Sequence, residues 1–382
     1  MMNSKERIRA FFNHEPTDRV GFWLGHPADD TKILYAKALG ISLEKYAVPK
    51  RANESGLLAT NIDLLDIELA CAFKSDIFWC SPEIMSASWK HPEGKPMFDV
   101  KGGKDIKSLS QPGIFADCED YRQIEAFDWP DPRYLDFKPA RDLIQTASGK
   151  GLAVVGGMWM SFFHVLCDFF GMENYFMKMC THPAVVEAAT EKLVDFYLEA
   201  NQRCLDFLGG GMDAVFFGND LGSQLDLLIS PDAYERFILP SYKRIVNQAK
   251  SYNLKIMLHS CGAISKIIPS LIDIGIDALH PLQAKASGMS AAELAGEYGD
   301  SILFVGGVDT QELLPFGTPQ QVRDEVRRLK DAFGPRYIVS PSHEALLSNV
   351  PIENVIAMQN VAIEIKDTAC AHWFSGGKSV TH

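Results

Sequence analysis

The sequence predicts an α/β fold, a single (β/α)8 barrel of the TIM type. Three observations carry this expectation. Eight short apolar, β-branched or aromatic runs recur along the 382 residues, long amphipathic stretches separate them, and chemically active side chains stand at the ends of the runs. An open doubly wound sheet is the alternative, but no GxGxxG turn follows the first run, and Gly209-Gly210-Gly211 precedes a run instead of opening a helix. Barrels of this length form one domain, so residues 1–370 are expected to make the barrel and residues 371–382 a C-terminal tail.

The runs are Arg19–Trp23, Ser75–Trp79, Leu152–Gly157, Ala214–Asp220, Lys255–Cys261, Ala278–Gln283, Ile302–Asp309 and Arg336–Ser340. Buried parallel strands read as continuous apolar segments because helices cover one face and the core the other. Ser230-Pro231 opens a helix running to about Tyr252, and Thr318-Pro319 opens another with Gln321 at the capping-box position. Residues Trp89 to Arg133, rich in Gly, Pro, Lys and Asp and without periodicity, form an excursion between the second and third βα units, with room for a small hairpin.

A net charge of −12 argues against nucleic acid or an anionic membrane as partner, since both are repelled by the average field. No stretch reaches the 18 or so uncharged apolar residues of a membrane span, and the charged start MMNSKERIRAFFNHEP has no export-signal pattern. The eight cysteines are scattered. A cytoplasmic protein with free thiols is expected.

Barrel enzymes carry their chemistry at the C-terminal ends of the strands. Polar residues at run ends are therefore the candidates: Asp76, Asn219, Asp220, His259, Cys261, His280, Gln283 and Asp309, with His343 just past the last run. Alternation puts His259 and Cys261 on one side of their strand, where imidazole and thiolate suit a shared Zn2+ with one or two further ligands. His343 faces the same mouth and is a third ligand, a partner for a substrate carboxylate, or a cap for the following loop. Asp220 is a candidate ligand, a general base or polarising acid for a substrate, or a loop cap, and Asp309 has the same geometry; Asn219, His280 and Gln283 are candidates to bind substrate, and Met158 to form an apolar wall. His164 and Cys167 read as helix packing, and Lys285 either binds an acidic group or is solvated.

These residues resemble the uroporphyrinogen decarboxylase superfamily from Lys5 to about Ile365. Glu6-Arg7-Ile8, Pro16-Thr17-Asp18-Arg19-Val20 and Phe73-Lys74-Ser75-Asp76 look like its opening segments. Leu258-His259-Ser260-Cys261-Gly262 resembles the HxCG motif of its methylcobalamin:coenzyme M methyltransferase branch, where Gly306-Gly307-Val308-Asp309, Gly317-Thr318-Pro319 and Pro351-Ile352-Glu353-Asn354 also recur. True decarboxylases follow the first strand with an arginine-rich segment, whereas this chain reads Trp23-Leu24-Gly25-His26-Pro27-Ala28-Asp29-Asp30. A porphyrinogen's carboxylates would lack guanidinium partners there. The resemblance therefore implies a zinc-dependent methyltransferase working on a small molecule with a separate corrinoid protein. Its zinc ligands would be His259 and Cys261, with His343 standing where that branch keeps a cysteine. The alternatives are a metal-independent decarboxylase or lyase acting on a small acid, with Asp76 or His343 placing the proton, and a non-catalytic binding protein. Dimers are common in the superfamily, and the exposed helices could support a homodimer.

Overall fold

A computed structural model describes residues 1–49, 58–82, 89–98, 112–283 and 285–364. Each of the eight runs forms a strand: β1 (Gly21–Phe22), β2 (Ile77–Cys80), β3 (Ala153–Gly156), β4 (Ala214–Gly218), β5 (Lys255–His259), β6 (Ala278–Leu282), β7 (Leu303–Val308) and β8 (Tyr337–Pro341). All pair in parallel, from β2 through to β8 in chain order and from β8 back to β1. Seven of the strands are shorter than their runs because run-end residues lie in the loops, and β8 is shifted one residue beyond its run.

The seam between β1 and β2 closes differently from the other seven. Asp76 N–H donates to the Phe22 carbonyl at 2.7 Å, and the Asp76 carboxylate accepts the Phe22 N–H at 2.9 Å. The same carboxylate takes Arg7 Nη1 at 2.7 Å and both terminal nitrogens of Arg19 at 2.8 and 2.9 Å. Asp76 is fully buried and precedes its strand, so it sits at the N-terminal end of the barrel, away from the mouth. This corrects its assignment as a catalytic residue. Its carboxylate is the counter-charge for two arginines.

Alternate strand residues fill the barrel interior: Trp23, Ile77, Trp79, Val155, Phe216, Met257, Val305 and Ile338 belong to one cluster. Ile8, Phe11 and Phe12 of the first helix, Ser4–Phe12, plug its lower end. That helix starts at a reciprocal capping box between Asn3 and Glu6. The opposite strand faces, including Phe22, Phe217, Leu258, Leu279 and Val339, pack beneath the helices.

Helix boundaries follow the local signals. Ser230 caps a continuous helical stretch made of Pro231–Ala233, a π-turn over Tyr234–Ile238, and Leu239–Ser251. Thr318 and Gln321 form the second reciprocal box, at the start of Pro319–Phe333. Gly209 ends the long helix Pro183–Leu208 in the left-handed conformation, at φ 61°. In the excursion, the described residues hold a short helix, Tyr121–Glu125, and an isolated bridge between Trp89 and Leu135. A two-stranded antiparallel ribbon lies earlier, between β1 and β2, at Ala47–Pro49 and Leu58–Thr60. The expected tail, 371–382, falls outside the described residues. Among the described residues no helix is long and apolar enough to cross a membrane.

Candidate metal centre at the barrel mouth

Two pairs of crossing loops build the mouth. After β4 and β5 the chain turns at Gly222 and Gly262, the latter at φ +86°, and a Cβ on Gly262 would overlap the Gly222 backbone. Gly222 N–H donates to the Cys261 carbonyl at 3.2 Å, and Ala263 N–H to the Ser223 carbonyl at 2.7 Å. Asp220 Oδ1 accepts the Cys261 N–H at 3.0 Å, which fixes the cysteine's backbone from the neighbouring loop. The loops after β1 and β8 form the other pair, through His26 N–H to the Glu344 carbonyl at 2.7 Å and Ala28 N–H to the Leu346 carbonyl at 2.9 Å. Within it Ala345 N–H donates to His343 Nδ1 at 3.1 Å, so Nε2 is the ring atom left for a ligand.

His259 stands where the two halves meet. Met257 belongs to the interior cluster, so alternation turns His259 inward as well. Its Nε2 lies 3.4 Å from Cys261 Sγ and 3.1 Å from Asp220 Oδ1. Its Nδ1 lies 3.1 Å from His280 Nδ1 and 3.4 Å from Glu344 Oε2. Glu344 Oε2 is buried and receives no aligned hydrogen bond, so the 3.4 Å contact is one of charge. Asp220 Oδ2 reaches His164 Nε2 at 3.4 Å.

Two donor sets result, with ligand atoms all within 4.8 Å of one another: His259, Cys261 and His343, and, deeper, His259, His280 and Glu344. Zinc bonds of about 2.0–2.3 Å in a tetrahedron place neighbouring ligand atoms roughly 3.3–3.8 Å apart. The 3.4 Å separation of His259 Nε2 and Cys261 Sγ fits that edge. One thiolate and two imidazoles with a position left open are the donor set of a catalytic zinc site. The residues present therefore fit the metal.

The electrostatics are strongly coupled. Burial opposes ionisation of Asp220, but hydrogen bonds from His164 and His259 outweigh it and hold the carboxyl far below its usual range. Burial likewise opposes charge on His259, yet Glu344, Asp220 and Cys261 together push its value well above the ordinary one. His280 goes the other way: burial, then the neighbouring His259 and His343, lower it well below the ordinary value. Burial raises the Cys261 thiol, and the His259 contact only partly offsets this.

An aromatic wall borders the centre. Trp159 lies with its ring centroid 4.9 Å from Trp79, 5.2 Å from Phe216 and 5.5 Å from His259. Gly218 makes this possible, since a Cβ there would come within 2.8 Å of the Trp159 ring and 2.6 Å of His259 Cβ.

The structure thus brings together His259, Cys261, His343 and Asp220, and it places Gln283 beside them, with Oε1 accepting the Gly262 N–H at 2.6 Å. Other expectations change. Asn219 is fully buried and braces the loop after β3, accepting from Phe163 N–H at 2.8 Å and donating to the Met160 carbonyl at 3.2 Å, so it is not placed to bind substrate. Met158 is fully buried packing. His280 is also fully buried and faces His259, which makes it a support for that ring and not a substrate contact. Asp309 accepts the N–H groups of Gln311, Glu312 and Leu313 and pairs with Lys285 Nζ at 3.1 Å, so it caps its own loop instead of polarising a substrate. Lys285 is therefore paired and not simply solvated. His164, read as packing, reaches Asp220. Glu344 was not singled out, although it directly follows His343. Among the described residues no disulfide is formed.

Comparison with known proteins agrees with this architecture. The sequence model of the uroporphyrinogen decarboxylase (URO-D) family matches residues 99–365. A methylated-thiol--coenzyme M methyltransferase of Methanosarcina mazei is 27% identical over 157 residues, which cover 41% of this chain and 39% of that protein. A methylcobamide:CoM methyltransferase MtbA of the same organism is 24% identical over 237 residues, or 61% of this chain and 66% of that protein. The matches thus span between two fifths and about two thirds of these relatives. A solved methyltransferase structure from M. mazei shares the fold, with a TM-score of 0.63 at 17% identity over 95% of this chain and 98% of that one. With its eight-stranded parallel barrel and the matched segment covering well over half its length, this chain belongs to the uroporphyrinogen decarboxylase family, and the curated relatives it matches are methyltransferases.

Proposed function

We propose that this protein is a zinc-dependent methyltransferase that moves a methyl group between a small thiol or methylated substrate and a corrinoid carried on a separate protein. The observation that carries this reading is the convergence of His259, Cys261 and His343 at the mouth. Their donor set is that of a catalytic zinc site, and the relatives' names supply the reaction class. Bound zinc would lower the pKa of a thiol and present its sulfur to a methyl donor.

The chain's own residues prepare that site. His259 Nε2, Cys261 Sγ and His343 Nε2 are the groups to hold the metal. His280, kept neutral by burial, has its Nδ1 3.1 Å from Nδ1 of His259; with His259 donating there, the tautomer that presents Nε2 to the metal is selected. Asp220 clamps the Cys261 backbone and, through His164, ties the helix that follows β3 to the centre. The indoles of Trp159 and Trp79 keep water from one side. The corrinoid protein would approach the open end, where the strand-end loops gather.

Elemental analysis tests the reading on protein purified without a chelating resin. About one zinc per chain is expected, with loss in both Cys261→Ser and His343→Ala. A wild-type protein that takes up no zinc when the metal is supplied sinks it and favours a metal-independent lyase on the same barrel.

A further inference from the structure

We infer that the thiol handled at this centre carries a short, uncharged polar tail, and that a cavity beside His343 selects against anionic tails. The inference rests on the methyl-transfer reading and deepens it by naming the substrate class.

A cavity of about 290 Å3 opens beside His343 between the loops after β6, β7 and β8, at the lower limit of the roughly 300–1,000 Å3 of ligand pockets. It therefore suits a tail of a few atoms. Besides His343, its polar lining is Gln283, Thr310, Gln311 and Asn349, and Ala345, Leu347 and Val350 are the apolar part. The amide oxygen of Gln283 is taken by Gly262 N–H, which leaves its N–H2 to face a ligand. Thr310 is fixed by Ser342, whose Oγ accepts the Thr310 N–H at 3.0 Å. Amides and a hydroxyl offer both donors and acceptors, which match an alcohol or an amide.

Charge decides against an anion. The lining holds no lysine or arginine. The neighbouring cation, Lys285, is taken by Asp309 at 3.1 Å and Glu312 at 2.6 Å. On the β1 side Lys32 is buried, 3.8 Å from Asp66 and hydrogen-bonded to His26 at 3.2 Å. Asp220 and Glu344 meanwhile add negative charge around His259. Among the described residues, a sulfonate or carboxylate seated here would gain no cationic side chain as partner, and the carboxylates around His259 would repel it. A hydroxyl escapes that repulsion and finds amide partners.

The test uses two thiols that differ only in the tail, 2-mercaptoethanol and 2-mercaptoethanesulfonate, titrated into the cobalt(II)-substituted protein while the thiolate-to-metal absorbance is followed. The alcohol is expected to bind roughly tenfold or more tightly than the sulfonate. Gln311→Ala and Asn349→Ala should each weaken the alcohol by roughly two- to tenfold with metal content unchanged. Gln311→Arg should shift the preference towards the sulfonate. Equal or tighter binding of the sulfonate by the wild type overturns the inference alone. If neither thiol produces the absorbance, the metal–thiolate reading falls and this inference falls with it.

Discussion

Replacing Asp76 with Asn tests whether the acid that precedes β2 holds the barrel together or takes part in chemistry. Asp76 is fully buried, and among the described residues its carboxylate is the sole ion-pair partner of Arg19 and one of two for Arg7, which keeps Asp18. An amide of the same shape still accepts from Phe22 N–H but leaves the Arg19 charge uncompensated in a site where its side chain is 10% exposed. Breaking a buried ion pair by removing one partner costs about 3–5 kcal/mol. At about 2.1 cal/mol/K per residue, the unfolding entropy of 382 residues is about 0.8 kcal/mol/K, so Tm should fall by about 4–6 °C. Calorimetry of wild type and variant measures the shift, and zinc content per folded molecule, measured below the transition, should not change. An unshifted Tm, or an unshifted Tm with lost metal or turnover, would refute the account and return Asp76 to the chemistry.

Other predictions concern the mouth and the acid limit of stability. Glu344→Gln should keep zinc while Cys261→Ser loses it; the reverse outcome would show that the deeper set of His259, His280 and Glu344 holds the metal. Asp66 is buried, which alone would raise its pKa, but Lys32 and His26 lower it below the ordinary carboxylate range. A group depressed in the folded state contributes stability that is present above its unfolded pKa and fades as pH falls towards the folded value. The denaturation midpoint should therefore drop as pH falls through and below the ordinary aspartate value of about 4, and Asp66→Asn should flatten that limb; an unchanged slope in the variant would contradict the assignment. Gly262→Ala forces a side chain into a left-handed position against the Gly222 backbone. It should cost about 1–3 kcal/mol and reduce zinc affinity, both readable from one chelator titration combined with unfolding curves.

Much of the scaffold is legible in the sequence because parallel strands buried on both faces must be continuously apolar, and all eight runs are strands. The same reasoning misplaced Asp76. It shares with Asp220 an acid beside an apolar run, but Ser75-Asp76 precedes its run whereas Asn219-Asp220 follows one, and only the following position faces the mouth. Arg7 and Arg19 are the signal that would have flagged a structural carboxylate, yet their approach depends on tertiary folding. Asn219 and Asp309 stand at the correct end, but hydrogen bonds to backbone groups within and across loops take up their polar atoms, and such bonds leave no mark in spacing. His164 sits in an aromatic helix that reads as core, and its position between the buried Phe163 and Leu166 turns it towards Asp220. Glu344 follows a loop histidine with no periodicity to show which way it points.

The crossing of Gly222 with Gly262 and the separate tether between the β1 and β8 loops divide the mouth into two independently fixed halves. His259 and Cys261 belong to one half and His343 to the other. A metal bound by all three would act as a staple across sequence-distant parts of the chain, so its binding energy would appear as resistance to unfolding as well as site occupancy. Chelation should then loosen the relation between the two loop pairs before it disturbs either pair internally. Amide exchange would show it as faster opening where the halves face each other, with the glycine crossing itself still protected.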